Sequence, residues 1–121
     1  MSPGDVVLIR FPQTDLQIGK LRPALVVAIA PGRYADVLLA LISSRTHQAV
    51  PEFDELIEPS EADYAATGLK VRSVTRLARL ASVNITSINA RLGRISPDRL
   101  QRVTNRLVAW LASGNQVDGS S

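Results

Sequence analysis

Gly19-Lys20-Leu21-Arg22-Pro23-Ala24-Leu25-Val26-Val27-Ala28-Ile29 sets a polar turn directly against a long apolar strand. Upstream, Gly4-Asp5-Val6-Val7-Leu8-Ile9-Arg10-Phe11-Pro12 is its natural hairpin partner, with Gln13 to Gly19 as the turn. Val6 and Leu8 alternate with Val7, Ile9 and Phe11, so the first strand is apolar on both faces until its end. The strand from Arg22 to Ala30 reads the same way, as a central strand or one covered by a partner does. An arginine where such a strand begins holds a planar guanidinium fork beside the loop, which suits a phosphate better than a lysine point charge. Pro23 locks the backbone after it and biases Arg22 towards an extended conformation. The plain alternative is a hairpin turn carrying solvated charges.

Pro31-Gly32 breaks the second strand, and Tyr34 to Ile42 reads as a third with little polar alternation. Three two-sided apolar strands exceed what one small core easily absorbs, and a homodimer interface is the preferred explanation. Ser43 to Pro51 is loop-like, Glu52 to Ile57 a half-exposed strand, and Pro59 to Gly68 a short helix capped by Ser60 and ended by Gly68. A fifth strand is expected from Val71 to Leu77, extending to Leu80, then a turn or strand at Val83 to Ile88 and an edge piece at Ala90 to Ile95. The last helix is strongly marked: Ser96 as N-cap, Pro97 at its first position and Asp98 complementing the dipole. Leu100, Val103, Leu107 and Leu111 form its apolar stripe, widened by Val108, with Arg99, Arg102 and Arg106 on the other side. Trp110 reads as an edge packer of this helix on the sheet. The pattern gives an α+β, mainly β, domain over residues 1–114, a bent antiparallel sheet with helices, followed by a frayed tail at 115–121.

At 121 residues the chain is long enough for one unstapled core, and 45% apolar content is ordinary for a globular protein. No apolar run reaches membrane-spanning length, the first residues lack a signal-peptide pattern, and a cytoplasmic address is expected without membrane partners. There is no cysteine, hence neither disulfides nor thiolate chemistry. Net charge is only +3, yet Lys20 and Lys70 are the only lysines, so the basic residues are nearly all arginines. That bias suits RNA or an acidic protein partner, and equally follows from genomic base composition.

Gly4-Asp5-Val6-Val7, Phe11-Pro12 with Thr14-Asp15, Gly19-Lys20 and Arg22-Pro23-Ala24-Leu25-Val26-Val27 together resemble the opening of the MazF/PemK-like toxin family. Leu41-Ile42-Ser43-Ser44, Gly68-Leu69 with Ser73-Val74 and Leu77, and Leu92-Gly93-Arg94-Ile95-Ser96-Pro97-Asp98 extend the likeness to about Leu111. The resemblance implies an SH3-like barrel that dimerises. It further implies the toxin of a type II toxin–antitoxin pair, a metal-independent, sequence-specific endoribonuclease acting on single-stranded RNA and restrained by a cognate antitoxin.

The residues admit that chemistry. One histidine, no cysteine and no tight His/Asp/Glu cluster argue against a metal centre or another cofactor. There is no glycine-rich phosphate loop, and no nucleophile elbow surrounds Ser44 to make a triad with His47. RNA carries its own nucleophile, the 2′-hydroxyl, so positioning and charge stabilisation can suffice. By resemblance, Arg22 stabilises the transition-state phosphate, and Ser44, or Ser43 if the register slips by one, orients it. Gln17, Lys20 and Arg45 are candidate RNA contacts in loops, and Arg72 and Arg76 extend a basic track or are solvated strand charges. Ser73 stands where several relatives carry an acid, leaving the general base open. The alternative is a non-enzymatic toxin on the same fold, such as the gyrase-poisoning CcdB toxins, which act through their C-terminus. The polar Gln116 to Ser121 offers no apolar anchor there.

Overall fold

The computed structural model describes residues 1–10 and 20–114. The expected turn at Gln13 to Gly19, with Gln17, and the tail at 115–121 lie outside the described residues. Six strands, β1 (Asp5–Ile9), β2 (Arg22–Ile29), β3 (Asp36–Ser43), β4 (Glu55–Ile57), β5 (Ser73–Asn84) and β6 (Ala90–Arg94), form one antiparallel sheet in the order β4-β5-β3-β2-β1-β6. Short 3-10 turns occupy Thr46–Gln48 and Ile85–Ser87, and helices α1 (Tyr64–Thr67) and α2 (Pro97–Ser113) are the other elements among the described residues. Among the described residues no helix is long and apolar enough to cross a membrane.

Register breaks bend this sheet into a half-barrel. Pairing shifts between Val6 and Val7 on β1, between Val26 and Ala28 on β2, and between Ala40 and Leu41 on β3. Each break leaves unpaired residues and increases local twist and bend. The curl brings α1, which follows the β4 edge, against β6 at the opposite edge. There the backbones approach so closely that a Cβ on Gly93 would lie 2.0 Å from the Ala66 carbonyl oxygen, and one on Gly68 2.3 Å from that of Leu92. Gly68 also ends α1 with a φ of 74°, as its position predicts.

Curling also disposes of the apolar excess. One face of the sheet, with Val6, Leu25, Ala40, Ile42 and Leu77, packs under α2 through Val103 and Leu107. The other, with Val7, Ile9, Ala24, Val26, Val37 and Leu39, buries itself against Ala81, Val83, Ile85 and Ile88. Most apolar side chains of β1, β2 and β3 are thus buried within one chain, while Ile29 at the end of β2 stays 40% exposed.

Several sequence-based expectations shift. β5 runs on to Asn84, past Leu80, because it spans the width of β3 from Ser43 to Asp36. α1 begins only after Asp63, not at Ser60, and the Asp63 carboxylate does not cap it. Instead it accepts from the Ser96 N–H and from Arg99. The capping of α2 holds: Ser96 Oγ accepts from the Arg99 N–H, and Pro97 opens the helix. Its buried face is rotated, however. Arg99, Val103 and Leu107 point inward, while Val108 and Leu111 are 60% and 72% exposed. Arg99 reaches Glu55, Glu61 and Asp63, Arg106 reaches Glu55, and Trp110 meets Phe53 edge-on at 5.2 Å. These contacts outweigh the simple stripe and turn the arginine side towards the sheet.

Candidate active site

Arg22 opens β2 opposite Ile9 of β1, and Pro23 follows it near the strand's start, where a missing N–H is best tolerated. Ser43 closes β3. Extending the Ala24–Leu41 register by two residues sets Arg22 opposite Ser43. Alternate residues share a face, and Leu41 pairs with Arg76 of β5, so Arg22, Leu41, Ser43 and Arg76 lie on the face turned away from α2.

Two adjoining cavities meet at these strand ends, both lined by Arg22, Ile42 and Ser43. The first, about 120 Å³, is cationic: Arg22, Arg45, Arg76 and Arg79 line it with Gln48, and among the described residues no carboxylate lines it. The second, about 350 Å³, has apolar walls from Leu8, Leu21, Pro23, Leu69 and Leu92. Lys20, Lys70, Ser44 and Ser73 supply its polar groups.

The sequence-derived candidates therefore divide. Arg22, Lys20, Ser43, Ser44, Arg45 and Arg76 all line one or both cavities. Arg72 lines neither, since Glu58 and the Thr46 hydroxyl hold its guanidinium outside them. Gln17 lies outside the described residues. Ser43 Oγ accepts the Arg45 N–H at 3.0 Å, leaving its own proton to donate. Ser73 is 3% exposed and donates to the Val71 carbonyl at 2.8 Å. His47 sits exposed in the first 3-10 turn and lines neither cavity.

Arg79 and Gln48 were not singled out by sequence reasoning. In a regular strand, residues three apart face opposite ways, which assigns Arg76 and Arg79 to different faces. Where β3 advances by one residue, from Leu41 to Ala40, β5 advances from Arg76 to Leu80. The unpaired Leu77-Ala78-Arg79 returns Arg79 to the side of Arg76. The clue, an arginine interrupting an otherwise apolar Leu77 to Ala81, was present but carried no register.

Arg22, Arg76 and Arg79 on the sheet and Arg45 in the loop after β3 give this cleft a lining suited to a polyanion: the molecule is a small curled β half-barrel with an arginine-lined groove beside its central strands. The chain belongs to the PemK-like, MazF-like toxin family of type II toxin–antitoxin systems, whose profile matches residues 2–111. Its fold is similar to that of an endoribonuclease from a mycobacterial species solved with its cognate antitoxin, at 16% identity and a TM-score of 0.63, covering 93% of this chain and 95% of that one. The Mycobacterium tuberculosis toxin MazF-mt6 aligns at 14% identity and a TM-score of 0.63, over 93% of this chain and 99% of that one. MazF from Deinococcus radiodurans aligns at 23% and 0.63, over 92% and 94%. At these identities the likeness is one of fold. No curated protein sequence matches the chain.

Proposed function

We propose that this protein is a metal-independent endoribonuclease that cuts single-stranded RNA through the substrate's own 2′-hydroxyl. The observation that carries this is the facing of Arg22 and Ser43 at the ends of adjacent strands, in the wall shared by a cationic and an apolar cavity. The scissile phosphate lies in the cationic cavity, and a flanking nucleotide occupies its neighbour. The 2′-oxygen attacks phosphorus, the P–O5′ bond breaks, and a 2′,3′-cyclic phosphate forms. The 2′-hydroxyl proton leaves to water, and the departing 5′-oxygen takes one up.

Arg22 stabilises the charge that grows on the non-bridging oxygens, with the guanidinium fork matching two of them. Ser43 donates its hydroxyl to the same phosphate, and Ser44, in the adjoining cavity, orients the neighbouring sugar or phosphate. Arg45, Arg76 and Arg79 hold the strand's charge on either side of the cut. With aromatics at 4% of residues, base contacts rest on arginine planes and aliphatic walls instead of ring stacking.

The mycobacterial neighbour's complex with its antitoxin supports a cognate antitoxin here too. An acidic segment ordering in the arginine-lined groove would exclude RNA from it. The working form is proposed to be a homodimer. The decisive experiment incubates the protein with a long single-stranded RNA in EDTA and maps the ends. Cyclic phosphate and 5′-hydroxyl ends are expected, and RNA carrying a 2′-deoxy sugar at the cut site binds uncut. Cleavage that requires added magnesium, or 5′-phosphate ends, would reject the mechanism.

A further inference from the structure

We propose that Asp54 is a positioning residue that aims Arg76 at the RNA phosphate in the cationic cavity; this rests on the nuclease reading above. Asp54 lies just before β4, outside both cavities, and its side chain is 1% exposed. Its carboxylate collects three donors: the Val50 N–H at 2.9 Å, the Leu77 N–H at 2.9 Å and Arg76 Nε at 3.1 Å. Two of these are backbone groups, one in the loop after β3 and one in β5, so the carboxylate is fixed from both sides. Arg76 Nη1 donates to Gln48 Oε1 at 3.0 Å, a second tether from the same loop. A guanidinium has five N–H groups in one plane, and holding Nε and Nη1 fixes that plane and leaves Nη2 for the cavity. Arg72, four residues earlier, shows the contrast: its partners hold it away from the cleft.

A loop staple would explain the same buried carboxylate, and the two roles separate by sign. Asp54 places a negative charge behind four arginines, so removing it raises the positive potential of the cleft and does not weaken RNA attraction. If Asp54 aims Arg76, the chemical step suffers nonetheless. The test compares the wild type, Asp54→Asn, Arg76→Ala and the double variant in cleavage kinetics. Binding is measured alongside with the same RNA carrying a 2′-deoxy sugar at the cut site. Asparagine keeps an acceptor for the Leu77 N–H and removes the charge.

Asp54→Asn is expected to lower kcat about ten- to a hundred-fold, the scale of misplacing a reacting contact, while binding stays equal or tightens. In the Arg76→Ala background the same change should add no further loss. A folded Asp54→Asn protein with wild-type kcat, or an equal loss in both backgrounds, overturns the proposal. If Asp54→Asn does not fold, Gln48→Leu removes only the second tether. Its kcat loss must then vanish in the Arg76→Ala background, and a loss that persists there overturns the proposal. A wild type that binds RNA without cutting it rejects the nuclease reading alone. Positioning is then decided by the Arg76 Nε–H resonance, expected to exchange slowly and to shift when the deoxy-substituted RNA is added. A resonance that does not move overturns it.

Discussion

Arg99 Nε and Nη2 donate to the two carboxylate oxygens of Asp63, each at 2.9 Å, tying the first turn of α2 to the segment that closes the half-barrel. Nη1 reaches Glu55 Oε1 at 3.1 Å and the Leu56 carbonyl at 2.6 Å, and the whole residue is 2% exposed. Burial opposes the charge on Arg99, but Asp63 and Glu61 outweigh it and hold the guanidinium protonated beyond its ordinary range.

Truncating this arginine removes the cation paired with Asp63 and Glu61, while Glu55 keeps Arg102 and Arg106. Arg99→Ala should therefore cost about 3–5 kcal/mol, the range for breaking a buried pair from one side. Urea unfolding at neutral pH measures it, and an unchanged midpoint would show the network to be energetically idle. Arg99→Lys keeps the charge but not the two-pronged grip, and should fall between the two.

Acid should act on the same clamp. Hydrogen bonding from Arg99, partly opposed by burial, holds the Asp63 carboxyl well below the usual aspartate range. For Glu61, burial acts upward but is outweighed by the Glu58 N–H and Arg99, so its carboxyl is also depressed. A depressed folded-state value means stability that is fully present above the unfolded value, about pH 4, and lost as pH falls through the folded one. Unfolding midpoints should be flat from pH 7 to 5 and drop below pH 4. Asp63→Asn should start lower and lose its part of that slope. A wild-type protein as stable at pH 2.5 as at pH 7 would contradict the linkage.

Gly93 is where α1 seals against β6. With an added Cβ 2.0 Å from the Ala66 carbonyl oxygen and 2.7 Å from the Thr67 carbonyl carbon, backbone must move. Gly93→Ala should destabilise by at least about 1–3 kcal/mol, the usual cost of overpacking. Because Gly68, Leu69 and Leu92 line the apolar cavity, RNA cleavage by the folded fraction should fall as well. Thermal unfolding followed by cleavage assays decides, and wild-type values in both would remove the close-approach account.

At Arg22 the expected loss is chemical. Arg22→Ala should reduce cleavage on the order of a hundred- to a thousand-fold, as when one preorganised donor is removed from a transition state. Arg22→Lys should recover little, since an ammonium cannot present two parallel N–H groups. Circular dichroism must show both variants folded. A folded Arg22→Ala protein cutting at the wild-type rate would place the chemistry elsewhere.

Local chemistry by itself determined a good part of this protein. Ser96 and Pro97 start α2, Gly68 ends α1 and the apolar runs locate β1, β2 and β3, because capping, φ preference and strand propensity act over a few residues. The place of Arg22, at the head of a central strand, was legible for the same reason. Tertiary structure decided which residues meet. The two apolar faces are largely buried inside one chain because register breaks curl the sheet, and those breaks depend on pairing partners far away in sequence. Arg79 joins Arg76 only because three residues of β5 go unpaired opposite β3. Arg99 turns from an expected solvent-facing charge into a buried cation, since the carboxylates that compensate it arrive from Glu55, Glu61 and Asp63, more than thirty residues earlier. Periodicity sees only neighbours along the chain, whereas strand register and charge compensation are settled by neighbours in space.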